Sequence, residues 1–177
     1  MTLLIRYWLD LCLLRAAPQD GPASAFILGL SLTSYAMISV LVLTSSYGML
    51  VGARLALLDL GLLATFILVL LYLSGKIARM YQTLAAMCGA GALLGLCALP
   101  LVLLNKPSTE DVTLPAAASV AWLVLWFWHL VVSAHIIRHA LSTNLVIGFV
   151  MSLLYMVIST RLALYVIPLQ EEVGLAG

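Results

Sequence analysis

The chain has 177 residues, of which 64% are hydrophobic and 8% are charged, and its formal net charge is +1. Soluble domains contain about 45–50% apolar and about 25% charged residues, so this composition excludes a water-soluble globular domain. It also excludes a disordered chain, because disorder needs low hydrophobicity, and a nucleic-acid-binding protein, because that needs a strongly basic surface. The remaining class is an all-α membrane protein with several transmembrane helices in contact with the lipid bilayer.

The first predicted element is an amphipathic helix over residues 1–17. Arg6 and Asp10 are four residues apart and can pair, while Trp8 belongs to an apolar stripe on another face. A helix with this pattern is typical of the membrane interface, where aromatic side chains act as anchors. Residues 18–24 contain two prolines and a glycine, so they end the helix and are predicted to form a linker.

Five charge-poor runs follow the linker. A helix needs about 20 mainly apolar residues to cross the hydrocarbon core, and each run is close to that length or longer. They predict a bundle of five transmembrane helices over residues 25–168, followed by a short non-cytoplasmic tail over residues 169–177. The five predicted spans are residues 25–44, 48–74, 81–104, 115–139 and 143–167.

The basic residues predict the orientation of these spans. Cytoplasmic loops are enriched in lysine and arginine, and a cytoplasmic N-terminus places five basic residues on that side against Lys106 on the other. Arginine outnumbers lysine six to two, and Leu, Ala and Gly are abundant, as in GC-rich bacterial genes. We therefore expect a bacterial inner membrane protein with a cytoplasmic N-terminus and a non-cytoplasmic C-terminus. The five basic residues are Arg6, Arg15, Lys76, Arg79 and Arg138.

Four ionisable residues are candidates for positions inside the membrane, away from the predicted helix ends: Arg54, Asp59, His129 and Arg161. A charge near the bilayer centre costs about 2.5–3.5 kcal/mol and usually faces protein or water. In one interpretation Asp59 pairs with Arg161 or Arg54, and His129 is hydrogen-bonded within the bundle. Alternatively, Asp59 and His129 form part of a proton or ion path, or the residues line an interface with a partner protein. The structural interpretation is favoured, because a transport path normally needs several polar groups in sequence and Asp59 is the only carboxylate within a predicted span.

Two predicted spans also carry hydroxyl groups on one face. These groups are candidates for hydrogen bonds between helices, each contributing roughly 1 kcal/mol or less. They are Ser31, Ser34 and Tyr35 in the first span, and Ser152, Tyr155 and Ser159 in the fifth.

The histidines do not predict a metal or haem site. His135 and His139 are four residues apart and share a helix face, but no Cys, Asp or Glu is placed to complete a zinc site. All three histidines lie on one predicted helix, whereas transmembrane b-type haem usually has axial histidines from different helices. No metal or other cofactor is therefore expected, and His135, Arg138 and His139 are predicted to form a basic helix end that faces the lipid headgroups.

Small residues predict close helix packing. Gly48 and Gly52, and likewise Gly91 and Gly95, have the GxxxG spacing that lets helix backbones approach each other. The third predicted span is rich in Gly and Ala, so we expect it to lie centrally in the bundle or against a partner.

The sequence contains no GxSxG, HExxH or Walker motif, and no catalytic residue is assigned. The entry segment Leu13-Leu14-Arg15-Ala16-Ala17-Pro18-Gln19-Asp20, followed by five closely spaced helices, resembles the bacterial relatives of the Yip1 family. That resemblance implies membrane organisation and partner binding rather than catalysis.

Three functions are compatible with the sequence. The leading hypothesis is a non-enzymatic subunit or scaffold that binds other membrane proteins or itself, because the chain has almost no predicted soluble mass. The second is a small oligomeric transporter or channel that uses Asp59, His129 and Arg161. The third is a haem- or metal-binding redox subunit of the membrane.

Overall fold

The computed structural model describes residues 2–104 and 116–167, and within these ranges the chain forms six α-helices without strands. Five of the helices are long and apolar enough to cross a membrane, and a short helix precedes them, so the predicted fold class is confirmed. Lys106 and the predicted tail over residues 169–177 lie outside the described residues. The helices are α1 (Thr2–Cys12), α2 (Ala25–Tyr47), α3 (Met49–Leu73), α4 (Met80–Leu104), α5 (Ala116–Leu141) and α6 (Leu145–Val166).

Short turns join α2 to α3, α3 to α4 and α5 to α6, and they make each pair antiparallel. Gly48 has φ +80° between α2 and α3, and Gly75 has φ +67° after α3, which are backbone conformations that favour glycine. Before α6, the Asn144 side chain accepts a hydrogen bond from the Ile147 backbone amide at 2.9 Å and so caps the helix. Gly48 therefore provides the backbone conformation of the turn, and no other described residue packs against it as predicted.

The five long helices close into a ring. Helix α2 packs against α3 and α4, α5 packs against α4 and α6, and α3 contacts α6. Towards the end of the bundle that carries α1, every α4 residue from Thr83 to Ala92 is buried, because α1 packs there against α4 and also touches α5. The small residues of the third predicted span thus lie at the centre of this half of the bundle.

Helix α1 is held in the bundle by its buried face. The indole ring of Trp8 occupies the space that a side chain at Gly89 would fill, and Leu11 is fully buried. The opposite face, which includes Ile5 and Leu9, is exposed. The predicted N-terminal helix is thus present but ends at Cys12 rather than at residue 17, and Trp8 packs against protein rather than serving as a free interfacial anchor.

The segment after α1 is also tied to the bundle. The indole N–H of Trp128 donates to the Cys12 carbonyl at 3.0 Å, and a ring nitrogen of His135 lies 2.9 Å from the Ala16 carbonyl oxygen. His135 is buried, so the prediction that it faces the headgroups is wrong, because this segment covers it. The predicted linker contains a 3-10 helix, Pro18–Asp20.

Basic side chains cap the C-terminal end of α5. The Lys76 ammonium donates to the Leu141 carbonyl. The Arg79 guanidinium donates to the carbonyls of His139 and Ala140 at 3.2 and 3.0 Å. Cations are favourable at this end of a helix, where backbone carbonyls lack partners. These contacts join the turn after α3 to the end of α5 on the side of the bundle that carries α1.

Candidate ligand cavity

A cavity of about 320 Å³ lies between the five long helices, in the half of the bundle away from α1. All five helices contribute to its lining, and the walls are mainly apolar and aromatic. The apolar wall residues include Leu55, Leu58, Leu94, Leu125 and Leu162, the aromatic ones are Tyr35, Tyr47, Trp122 and Trp126, and the other polar side chains are Ser39, Asp59, His129 and Ser159.

The Asp59 carboxylate is the polar centre of this cavity. Its Oδ2 accepts a hydrogen bond from the Tyr35 hydroxyl at 2.5 Å. Its Oδ1 accepts hydrogen bonds from the hydroxyls of Tyr155 at 2.8 Å and Ser159 at 2.9 Å. Hydroxyls on α2 and α6 thus converge on one carboxylate of α3, and this contact links three of the five helices.

Asp59 lies near the middle of α3, and its hydroxyl partners are positioned by the helices that carry them. Asp59 lies ten residues after Met49, about 15 Å along α3 at a rise of about 1.5 Å per residue. The Tyr155 ring packs against Phe66, with ring centroids 5.4 Å apart. Ser159 follows Tyr155 by four residues and therefore shares its helix face.

Glycines of α4 make room for the side chains of α2. A Cβ atom at Gly91 would lie 2.7 Å from the Tyr35 ring, and one at Gly95 would lie 2.7 Å from a methyl group of Ile38. This glycine pair therefore accommodates side chains of α2 rather than a helix backbone, and the space at Gly91 positions the Tyr35 hydroxyl against Asp59.

Two further glycines bring helix backbones together. Gly52 faces the backbone of Thr44 in α2, in accordance with its predicted packing role. Gly148 in α6 faces the Ala134 carbonyl in α5 and leaves no room for a larger side chain. Gly148 has no glycine partner at GxxxG spacing, so the motif that indicated the other positions does not identify it.

The predicted ion pair of Asp59 with Arg54 or Arg161 is wrong. In the described part of the chain, its hydrogen-bond partners are three hydroxyls and include no basic side chain. Arg54 and Arg161 are exposed and each lies within about 8 Å of a helix end, where long basic side chains reach the headgroup region. Of the four predicted polar residues, the cavity brings together Asp59 and His129.

The hydroxyl groups predicted from the sequence have different roles. Tyr35, Tyr155 and Ser159 form hydrogen bonds between helices, as predicted, and Ser152 donates to the Leu130 carbonyl of α5 at 3.4 Å. Ser31 instead donates to the Ile27 carbonyl of its own helix. The sequence showed that the hydroxyls within each span share a helix face. It did not show that hydroxyls of both spans donate to Asp59, because this depends on how α3 packs between α2 and α6.

The described residues offer no metal site. Among residues 2–104 and 116–167, no group of three or more His, Cys, Asp and Glu side chains could hold a metal ion. His135 and His139 do contact each other, with ring centroids 4.6 Å apart, and they lie in the opposite half of the bundle from the cavity.

Comparison with protein-family models, with curated proteins and with solved structures finds no match to this chain. The chemistry of the cavity therefore carries the functional inference.

Proposed function

We propose that this protein binds a small amphipathic molecule within the bilayer, in the cavity around Asp59. The observation that supports the proposal is a carboxylate at the polar centre of an apolar cavity, with hydroxyl groups but no basic side chain as hydrogen-bond partners in the described residues. Ligand sites combine a largely apolar lining with a few placed polar groups, and their volumes start at about 300 Å³. The proposal develops the transporter hypothesis and leaves Arg161 outside the site.

The scaffold hypothesis draws less support from the packing. It depended on the slim third span, whose small residues could press against a partner protein. In the structure Gly89 contacts Trp8, while Gly91 and Gly95 contact side chains of α2. Because side chains of the same chain pack against these glycines, they are not free to contact a partner protein, and the cavity gives more support to the ligand-binding function.

The proposal also covers the membrane in which the protein resides and the orientation of the protein in that membrane. The basic residues Arg15, Lys76 and Arg79 lie in the turns at one end of the bundle, together with α1. Under the positive-inside rule this end faces the cytoplasm of a bacterial cell, so the cavity lies in the outer half of the inner membrane.

A cavity-filling variant tests the binding proposal. The purified protein in phosphatidylcholine nanodiscs is titrated with small aromatic amphiphiles that are cationic, neutral or anionic, and binding is measured by calorimetry. Ala163 lines the cavity, so we expect Ala163→Trp to abolish saturable binding. Leu164 is the next residue and is exposed, so Leu164→Trp is the matched control that retains it.

Two results would contradict the proposal. One is that none of the three ligand types binds the wild-type protein saturably. The other is that Ala163→Trp and Leu164→Trp bind the ligand equally well, which would place the site elsewhere.

A further inference from the structure

We propose that the ligand of the cavity is an amine in its ammonium form, with at least one N–H group and one apolar or aromatic body. This inference rests on the proposed function and adds the chemical class of the ligand. It depends on two independent features of the site, which are the unused acceptor position on Asp59 and the aromatic lining of the cavity.

The hydrogen bonds of Asp59 leave room for one more donor. A carboxylate has about four lone-pair positions on its two oxygens. In the structure Oδ1 accepts two hydrogen bonds, from Tyr155 and Ser159, and Oδ2 accepts one, from Tyr35. One position on Oδ2 therefore remains for an N–H group of a ligand. Hydroxyl partners carry no net charge, so a cationic donor would also supply a counter-ion for the carboxylate.

The walls of the cavity suit an organic cation better than an inorganic one. Trp122, Trp126 and Tyr47 line the cavity, and aromatic faces attract ammonium groups electrostatically. A hard cation such as Ca²⁺ takes about six to eight oxygen ligands. The described lining is mainly Leu, Val, Ala and aromatic side chains, so it cannot supply that number of oxygens.

Three compounds of similar shape but different charge test this inference. Phenethylamine, 2-phenylethanol and phenylacetate have similar shapes and are titrated separately into wild-type protein in phosphatidylcholine nanodiscs, with calorimetric detection. We expect the amine to bind about tenfold or more tightly than the alcohol, because a hydrogen bond to a charged group is stronger than a neutral one. We expect phenylacetate to bind most weakly, because its carboxylate would face that of Asp59.

Replacement of the carboxylate provides the second readout. Asp59→Asn should reduce amine affinity to that of the alcohol while alcohol binding persists, and the persistent binding shows that the variant is folded. Asp20→Asn makes the same chemical change at a residue that does not line the cavity and should retain the amine preference.

The outcomes separate the two proposals. If amine and alcohol bind the wild-type cavity equally, or if Asp59→Asn keeps the amine preference, the ammonium inference is wrong and the ligand-binding function stands. If no compound of any charge binds, the proposed function itself fails.

A lipid could supply the same chemistry, because phosphatidylethanolamine carries a primary ammonium group. The titration is therefore repeated in nanodiscs that contain this lipid. A lower apparent affinity for phenethylamine would identify the lipid headgroup as a competing source of the ammonium, and an unchanged affinity would identify a free amine.

Discussion

At the level of single residues, the Asp59 carboxylate shows how a half-buried acid is accommodated without a basic hydrogen-bond partner among the described residues. Three of its acceptor positions are occupied by hydroxyls at 2.5, 2.8 and 2.9 Å, which replace hydrogen bonds that water would provide. Each of these hydroxyls lies on a helix other than α3. The carboxylate therefore stabilises the arrangement of α2, α3 and α6 as well as defining the polar centre of the cavity.

Removal of one hydroxyl should weaken this arrangement. Tyr155→Phe keeps the ring contact with Phe66 but removes the donor to Asp59, so we expect the free energy of unfolding to fall by about 0.6–2 kcal/mol. The measurement is a titration with sodium dodecyl sulfate in mixed micelles, followed by circular dichroism. Tyr165→Phe, at a residue that is 69% exposed, is the control and should change stability by less than about 0.5 kcal/mol. Equal effects of the two variants would contradict the role assigned to Tyr155.

Tyr7 in α1 gives a prediction about pH. Burial and the neighbouring Asp20 carboxylate raise the pKa of Tyr7 to about 12, whereas a tyrosine in an unfolded chain has a pKa near 10. The folded state therefore holds the phenol proton more tightly. This contribution to stability is complete below about pH 10 and is lost as the pH rises from about 10 to about 12. The stability difference between wild type and Tyr7→Phe should shrink over that window, as measured by unfolding titrations at fixed pH. A difference that stays constant from about pH 9 to 12 would contradict this prediction.

At the level of helices, glycines determine how closely the neighbours pack. Gly148 lets α6 approach the Ala134 carbonyl of α5, and Gly52 lets α3 approach the backbone of α2. At both positions the nearest opposing atom belongs to the backbone, which cannot move aside as a flexible side chain does. At Gly61, by contrast, an added Cβ would meet no atom within 4 Å.

These glycines should therefore respond in opposite directions to the same substitution. We expect Gly148→Ala to lower the free energy of unfolding by about 1–3 kcal/mol, because the added methyl group forces α5 and α6 apart. Gly61→Ala should raise it by up to about 1 kcal/mol, because alanine favours the helix and meets open space. Thermal unfolding followed by circular dichroism measures both variants under one condition. A stabilising Gly148→Ala would show that the two helices can adjust without cost.

At the level of the whole molecule, composition and apolar run length were sufficient to predict the fold class. The predicted span over residues 25–44 corresponds to Ala25–Tyr47, and the span over residues 115–139 corresponds to Ala116–Leu141. These features are local, because the length of an apolar run determines whether it can cross the hydrocarbon core. The position of α1 against Gly89 was not predictable in this way, since it depends on contacts between residues far apart in the chain.

The candidate site was predictable only in part, for the same physical reason. Asp59 and His129 were identified because ionisable groups are costly inside a membrane, and both line the cavity. The expected partners of Asp59 were arginines, since opposite charges suggest an ion pair. Helix rotation instead directs Tyr35 and Tyr155 towards the carboxylate. Sequence patterns show which residues share a face of a helix, but they do not show which neighbouring helix packs against that face.

The orientation of the whole molecule determines from which side the cavity is reached, and two matched substitutions test it. Ser46 and Ser74 are exposed residues that flank α3 at its two ends, so each tolerates replacement by cysteine. With the N-terminus in the cytoplasm, a membrane-impermeant maleimide added to intact bacteria should label Ser46→Cys, and Ser74→Cys should react only after the cells are opened. Mass spectrometry of the labelled peptides distinguishes these sites from the native cysteines. The reverse pattern would place the cavity in the cytoplasmic half of the membrane, so that its ligand would enter from the cell interior.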